Sequence, residues 1–253
     1  FPQPMLPRYV TDTPYGVRRN MPNLNIWHHS PDYKVKVRTN SQGIRSEREI
    51  PYEKPAGAFR ILGLGDSFTL GYEVEVEDTY LYQHEKKLHE KGATNVEVIN
   101  LAVSGFGTAE ELITLKNEGL KYSPDMVLLG YFVNDIENNI TSNLFSLNGD
   151  TLERESPAYL PAVGIRRALY SIPGYRYLAE NSHLLNIFRN EISYLVLQGL
   201  NKKNRKMQAT RRGYDDVKVL AEEDERITLY EETLTARLLD EIYKECEKQG
   251  IPL

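Results

Sequence analysis

The chain of 253 residues carries 31 lysines and arginines against 36 aspartates and glutamates, a formal charge of -5, so it has no overall pull toward nucleic acid or an anionic membrane surface. That length suits one α/β domain with a sizeable core, or one domain with a small appendage. No apolar run approaches the roughly 18 residues of a membrane-spanning helix; the best, Met126 to Val133, ends at Asn134 and Asp135.

In chain order, residues 1–57 are rich in Pro, Tyr, Asn and Arg and read as an irregular arm over the domain surface, with a short strand at Tyr33 to Arg38 where Val35 and Val37 alternate with charges. Residues 58–253 read as an α/β domain. Its first strand is the apolar run Phe59 to Leu64, followed by helical periodicity over Asp78 to Lys91 with Gly92 placed to stop it. The pattern repeats with a strand at Val96 to Val103, a helix at Thr108 to Tyr122 opened by Thr108 and Glu111 in capping-box spacing, and a strand at Asp125 to Val133. Such alternation predicts a three-layer α/β/α fold around a mostly parallel sheet.

An insertion is expected at about residues 136–215. It begins as a loop-rich stretch from Ile136 to Pro173, continues as a helix over Tyr175 to Leu200, and ends in an exposed basic linker from Asn201 to Arg212. Asn139-Ile140-Thr141 matches a glycosylation sequon but reads as loop. The last element, Ala221 to Gln249, is predicted to be an amphipathic helix with Leu229, Leu234, Leu238, Leu239 and Ile242 on its buried side. Cys246, the sole cysteine, excludes an internal disulfide and reads as a buried or half-buried structural thiol. Ile251-Pro252-Leu253 looks like the start of a further strand, and with Phe1 in place of a Met it suggests that chain segments lie both before and after this sequence.

Three polar clusters follow the three predicted strands, at the strand ends where an open parallel sheet places its ligand crevice. They are Gly65-Asp66-Ser67-Phe68-Thr69, Ser104-Gly105-Phe106-Gly107 and Gly130-Tyr131-Phe132-Val133-Asn134-Asp135. A serine on a tight turn is useful as a nucleophile only beside a base, and the negative oxygen of a tetrahedral intermediate needs preset donors. The backbone N–H groups of Ser67 and Gly105 and the side-chain amide of Asn134 are the candidates. Each motif is weak alone; their order on successive strands is more specific. No Cys and His spacing suggests zinc, and Gly63-x-Gly65 lacks the third glycine of a dinucleotide fingerprint, so neither metal nor nucleotide cofactor is expected.

Gly65-Asp66-Ser67, then Asn100-Leu101-Ala102-Val103-Ser104-Gly105, then Gly130 to Asp135 resemble the first three blocks of the bacterial-type SGNH (GDSL-like) hydrolase family. The resemblance implies an SGNH/flavodoxin-like fold, Ser67 as nucleophile, and an oxyanion hole formed with Gly105 and Asn134. It also implies an ester substrate, an O-acetyl group on a saccharide or a small acyl ester, with an acyl-Ser67 intermediate. Thr39-Asn40-Ser41-Gln42-Gly43-Ile44-Arg45 is similar to a segment that precedes the catalytic domain in bacterial members, often ones with an N-terminal membrane anchor, which favours an extracytoplasmic location. The family's final Asp-x-x-His block, which supplies the base, does not occur here and is expected beyond Leu253. His28 and His29 in the arm and His84 and His89 on the first helix read as surface residues. His183 imitates the missing spacing in Glu180-Asn181-Ser182-His183, but within a helical pattern. The alternative is a non-catalytic module of the same fold that holds a polysaccharide or a partner protein.

Overall fold

The computed structural model describes residues 9–29, 33–161 and 223–253, with scattered positions between 163 and 195. His183, the expected linker at 201–212 and most of the helix expected over 175–200 lie outside the described residues.

At the centre stands β5 (Phe59–Gly65), whose residues are buried on both faces from Arg60 onward, as a strand covered on both sides must be. It pairs in parallel with β6 (Val96–Asn100) and β7 (Met126–Gly130), giving the order β6-β5-β7. Alternation along these strands divides the core. Ile61, Val96 and Val98 pack with Leu81 on one face, while Leu62, Leu64, Ile99 and Val127 join the larger cluster on the other. The result is a mixed α/β architecture, a parallel sheet flanked by helices on both faces.

The small face is covered by α2 (Tyr80–Glu90), which follows a 3-10 turn at Val76–Asp78 and is capped by Thr79, whose hydroxyl accepts the Tyr82 N–H. This helix also reaches over the outer side of β6: Glu85 accepts the Val98 N–H at 2.7 Å, and His89 Nε2 lies 2.7 Å from the Val96 carbonyl oxygen. The large face carries α3 (Thr108–Asn117), α4 (Asn134–Ser142) and α5 (Glu223–Lys248). On α5 the buried side chains Tyr230, Leu234, Leu238, Ile242 and Cys246 recur at four-residue spacing and form one stripe. Beyond α5, the Pro252 carbonyl accepts the Val127 N–H at 2.9 Å, which lays the chain end along β7.

Several expected boundaries move. β6 stops at Asn100 because the Asn100 side chain turns the chain, accepting the Ala102 N–H and donating to the Thr69 carbonyl. β7 stops at Gly130. The helix expected to run to Tyr122 breaks after Asn117 and resumes as a 3-10 turn at Gly119–Tyr122. Its cap sits one residue earlier than the Thr108 and Glu111 spacing predicts: Gly107 is the N-cap, and the Glu110 carboxylate accepts the Gly107 N–H at 3.0 Å. Leu229 points outward and is half exposed, and Leu239 is only half-buried.

The arm is less irregular than its composition suggests. It forms two antiparallel ribbons, β1 (Val10–Asp12) with β2 (Arg18–Asn20) and β3 (Asn25–His29) with β4 (Lys34–Arg38). Of these only β4 carries enough alternation to be predicted; the others are short and polar. Val10, Val17, Ile44 and Ile50 nevertheless enter the main core. The stretch expected to be loop from Ile136 likewise contains most of α4 and a hairpin, β8 (Phe145–Asn148) with β9 (Thr151–Arg154), turning on Gly149 and Asp150. Asn139, expected in a loop, is buried on α4, where it accepts the Ala109 N–H at 2.9 Å and donates to the Thr235 hydroxyl at 3.0 Å, tying α4 to both α3 and α5.

Leu238, fully buried on the α5 stripe, tests this packing. Its replacement by alanine is expected to cost about 2–5 kcal/mol, read as a lowered urea midpoint with an unchanged slope.

Candidate functional site

The site is assembled where the three parallel strands end. β5 runs straight into α1 (Ser67–Leu70), because the fully buried Asp66 acts as N-cap and its Oδ1 accepts the Phe68 N–H at 2.8 Å. Ser67 is therefore the first helical residue, whose N–H has no intrahelical acceptor. It is half-buried, and its hydroxyl has no hydrogen-bond partner among the described residues. The turn tolerates only glycine at Gly65: φ is +154°, and a Cβ there would stand 2.1 Å from Thr69 Oγ1. Gly130, which faces Gly65 in register on β7, would place a Cβ 2.0 Å from the same oxygen. Tyr80 donates its hydroxyl to Thr69 Oγ1 at 3.0 Å and holds that wedge in place.

After β6, the Val103 N–H donates to the Gly65 carbonyl at 3.1 Å, carrying the second cluster alongside the first. Phe106 N–H then closes a turn onto the Val103 carbonyl at 3.1 Å, with Gly105 at its third position and φ +75°, the place where such a turn demands a left-handed residue. After β7, Asn134 opens α4, and its Nδ2 donates to Asp66 Oδ2 at 3.3 Å. Asp66 thus joins two of the three predicted site residues, holding Ser67 through the backbone and Asn134 through its amide. Gly105 reaches the same sheet edge through the Val103 to Gly65 bond and has no direct bond to either of the others.

A cleft of ≈ 420 Å³ opens beside Ser67, lined by Phe68, Tyr72, Glu73, Val74 and Tyr80 among others. At its rim the exposed rings of Phe68 and Phe132 pack with centroids 4.2 Å apart.

Beneath the site lies a group of buried carboxyls that composition alone does not reveal: Asp66, Glu110, Glu111 and Asp135. Glu110 is held at 3.0 Å from the Arg18 guanidinium. Burial still pushes its pKa up, with Arg18 opposing. Among the described residues Glu111 has no partner for either carboxylate oxygen, and burial together with the charges of Asp135, Glu110 and Asp66 raises its pKa well above the usual range. Asp135 accepts the Phe132 N–H at 3.2 Å, yet burial and its acidic neighbours Asp66 and Glu110 push its pKa to about 7.

The arm histidine expected at the surface is instead enclosed. His28 is fully buried, its ring nitrogens 3.3 Å from the Tyr9 hydroxyl and 3.1 Å from that of Tyr33, and its ring 4.6 Å from Tyr72. His84 is exposed, and His89 serves the β6 edge. Among the described residues no imidazole is hydrogen-bonded to Ser67, no group of three or more His, Cys, Asp or Glu could hold a metal ion, and no helix is long and apolar enough to cross a membrane.

No family model and no curated protein matches the chain. Solved structures of AlinE4, described as an SGNH-hydrolase family esterase, and of two of its mutants align at 28–29% identity with a TM-score of 0.28. The alignments cover 32% of this chain and 44% of theirs. Overlap of that size decides neither fold nor activity, and the functional reading rests on the residues themselves.

Asp135 makes the buried acids testable. Its folded pKa lies above its unfolded one, so its contribution to stability is complete below about pH 4 and is lost as pH rises through about 7. Relative to wild type, Asp135→Asn is expected to gain stability as pH rises from about 4.5 to about 7.5, by a few kcal/mol at most. Urea titrations of both proteins at the two pH values measure the difference.

Proposed function

We propose that the chain is the nucleophile-bearing part of a serine esterase or acyl-transfer enzyme of the SGNH type. The observation that carries the reading is the hydrogen bond from the Asn134 amide to Asp66, which ties a donor side chain from one strand end to the residue that precedes the serine of another. An amide nitrogen has two hydrogens, so with one on Asp66 the second remains for substrate. Together with the N–H groups of Ser67 and Gly105 it supplies the kind of donor set that an oxyanion needs, each donor being worth roughly 3–4 kcal/mol in comparable enzymes.

In this mechanism Ser67 Oγ attacks the ester carbonyl carbon as its proton passes to a base, and the carbonyl oxygen takes the negative charge between the three donors. Collapse of the tetrahedral intermediate breaks the bond to the alcohol, which leaves with a proton, and the acyl group stays on Ser67. Water then releases it as an acid in an esterase; a sugar hydroxyl accepts it in a transferase. The base is assigned to none of the described histidines. The substrate we favour is an O-acetylated saccharide, since the aromatic side chains of Phe68, Tyr72 and Tyr80 along the cleft offer apolar faces for a sugar ring.

The protein expressed from its whole gene is expected to hydrolyse a chromogenic acetyl ester and to be labelled by a fluorophosphonate at Ser67. Ser67→Ala is expected to lose activity by roughly 10³-fold or more and all labelling. Equal hydrolysis by both proteins with no labelling of the wild type would defeat the proposal and favour a binding module.

A further inference from the structure

We infer that Arg18, on the second strand of the N-terminal arm, is a positioning residue that sets the Gly105 N–H of the oxyanion site; the inference rests on the reading of Gly105 given above.

Arg18 and Asn20 are two residues apart on β2 and both are buried, so they project from the same face of the ribbon. Each grips the segment after β6 from beneath. Asn20 Nδ2 donates to the Ala102 carbonyl at 3.0 Å, and Arg18 Nη2 donates to the Gly105 carbonyl at 2.8 Å. The same Arg18 nitrogen donates to Glu110 Oε1 at 3.0 Å, while Glu110 Oε2 accepts the Gly107 N–H at 3.0 Å. The arm thus holds residues 102–107 at two backbone points and Glu110 at another, alongside the bonds of Asn100 to the Ala102 N–H and of Asn138 to the Phe106 carbonyl. The Arg18 guanidinium is further enclosed by the rings of Phe106 and Tyr159, at 5.7 and 5.8 Å.

The turn makes this grip consequential. Gly105 sits at φ +75° and could rotate readily, since glycine has access to both signs of φ. Its N–H has no acceptor among the described residues, so nothing on the donor itself fixes its direction. Its carbonyl, on the other side of the same α-carbon, is the group that is pinned. Fixing that carbonyl on a buried guanidinium limits rotation at Gly105 and so limits where the N–H aims. Arginine suits the task because one guanidinium nitrogen, Nη2, reaches the anion and the carbonyl at once and the rigid planar group fixes where that nitrogen sits, whereas a lysine ammonium is a point charge on a flexible stem. Without the arm, the predicted α/β domain would keep Ser67 and Asn134 but lose the pin on its third donor.

Removing the charge alone would strand Glu110 in the interior, a loss large enough to unfold the protein. The test therefore uses Arg18→Lys, which keeps a cation opposite Glu110, and the double variant Arg18→Met with Glu110→Gln, which leaves no unpaired charge and retains an acceptor for Gly107. In folded Arg18→Lys the expected result is a kcat on an acetyl ester reduced roughly 10- to 100-fold with KM within twofold of wild type, as a misplaced donor implies, and a larger loss in the double variant. Amide hydrogen exchange at residues 104–107 is expected to accelerate at least about tenfold while β5 exchanges as before. A folded Arg18→Lys protein whose 104–107 amides exchange as in wild type, or whose kcat is unchanged, overturns the assignment. If wild type and Ser67→Ala prove equally active, the reading of the site fails instead, and the exchange measurement still scores the grip on its own.

Discussion

Asp66 is the side chain on which the arrangement at the sheet edge depends. It is fully buried and shares its carboxylate between the Phe68 N–H, which starts α1 directly at the end of β5, and the Asn134 amide, which belongs to a strand end 68 residues away. A buried anion is expensive unless its oxygens are bonded. Both oxygens of Asp66 are bonded, and the partners that satisfy it are the ones that aim Ser67 and Asn134. Folding and local geometry are here the same requirement, since the contacts that relieve the burial cost are also the contacts that tie the Asn134 amide to the turn carrying Ser67.

The surrounding acids sharpen that requirement. Glu110 shares Arg18 with the Gly105 carbonyl, Asp135 bonds the backbone of its own turn, and Glu111 has neither cation nor hydrogen bond among the described residues. Several carboxyls this close cannot all be ionised without mutual repulsion. Burial and its acidic neighbours raise the Glu111 pKa well above the usual carboxylate range, and Asp135, pushed up to about 7, is protonated through the mildly acidic range. The sheet edge proposed as the site thus sits on a layer of carboxyls whose net charge depends on protonation, with Arg18 paired to Glu110 among the described residues.

How much of this could be read from the residues alone depends on how far the causes reach along the chain. β5 was legible because a doubly covered strand is written as one apolar run, and the glycines and serine at its end mark the turn by composition. Asn134 was legible because it follows an apolar run directly. The strand ends and the α3 cap were placed a few residues off, because what ends them is a side chain folding back, Asn100 onto Ala102 and Glu110 onto Gly107, and apolar patterning is silent about such bonds. Arg18 and Asn20 were hidden altogether: their partners lie 87 and 82 residues on, and short polar strands carry no periodicity. Asp66 and Asp135 stood within recognised motifs, yet their work as buried anchors became visible only when the strands were side by side.

One feature of the sheet bears on how the molecule behaves among its own copies. A parallel sheet that ends in an uncovered strand offers its outer backbone groups to any passing chain, a common start of fibrous association. On β6 two of those groups are already engaged, one by the carboxylate of Glu85 and one by the imidazole of His89, both delivered by the helix that packs on that face. The helix therefore does more than cover apolar surface: its polar side chains occupy the pairing positions that a stranger's strand would need, and lateral growth of the sheet on that flank is blocked by the protein's own side chains.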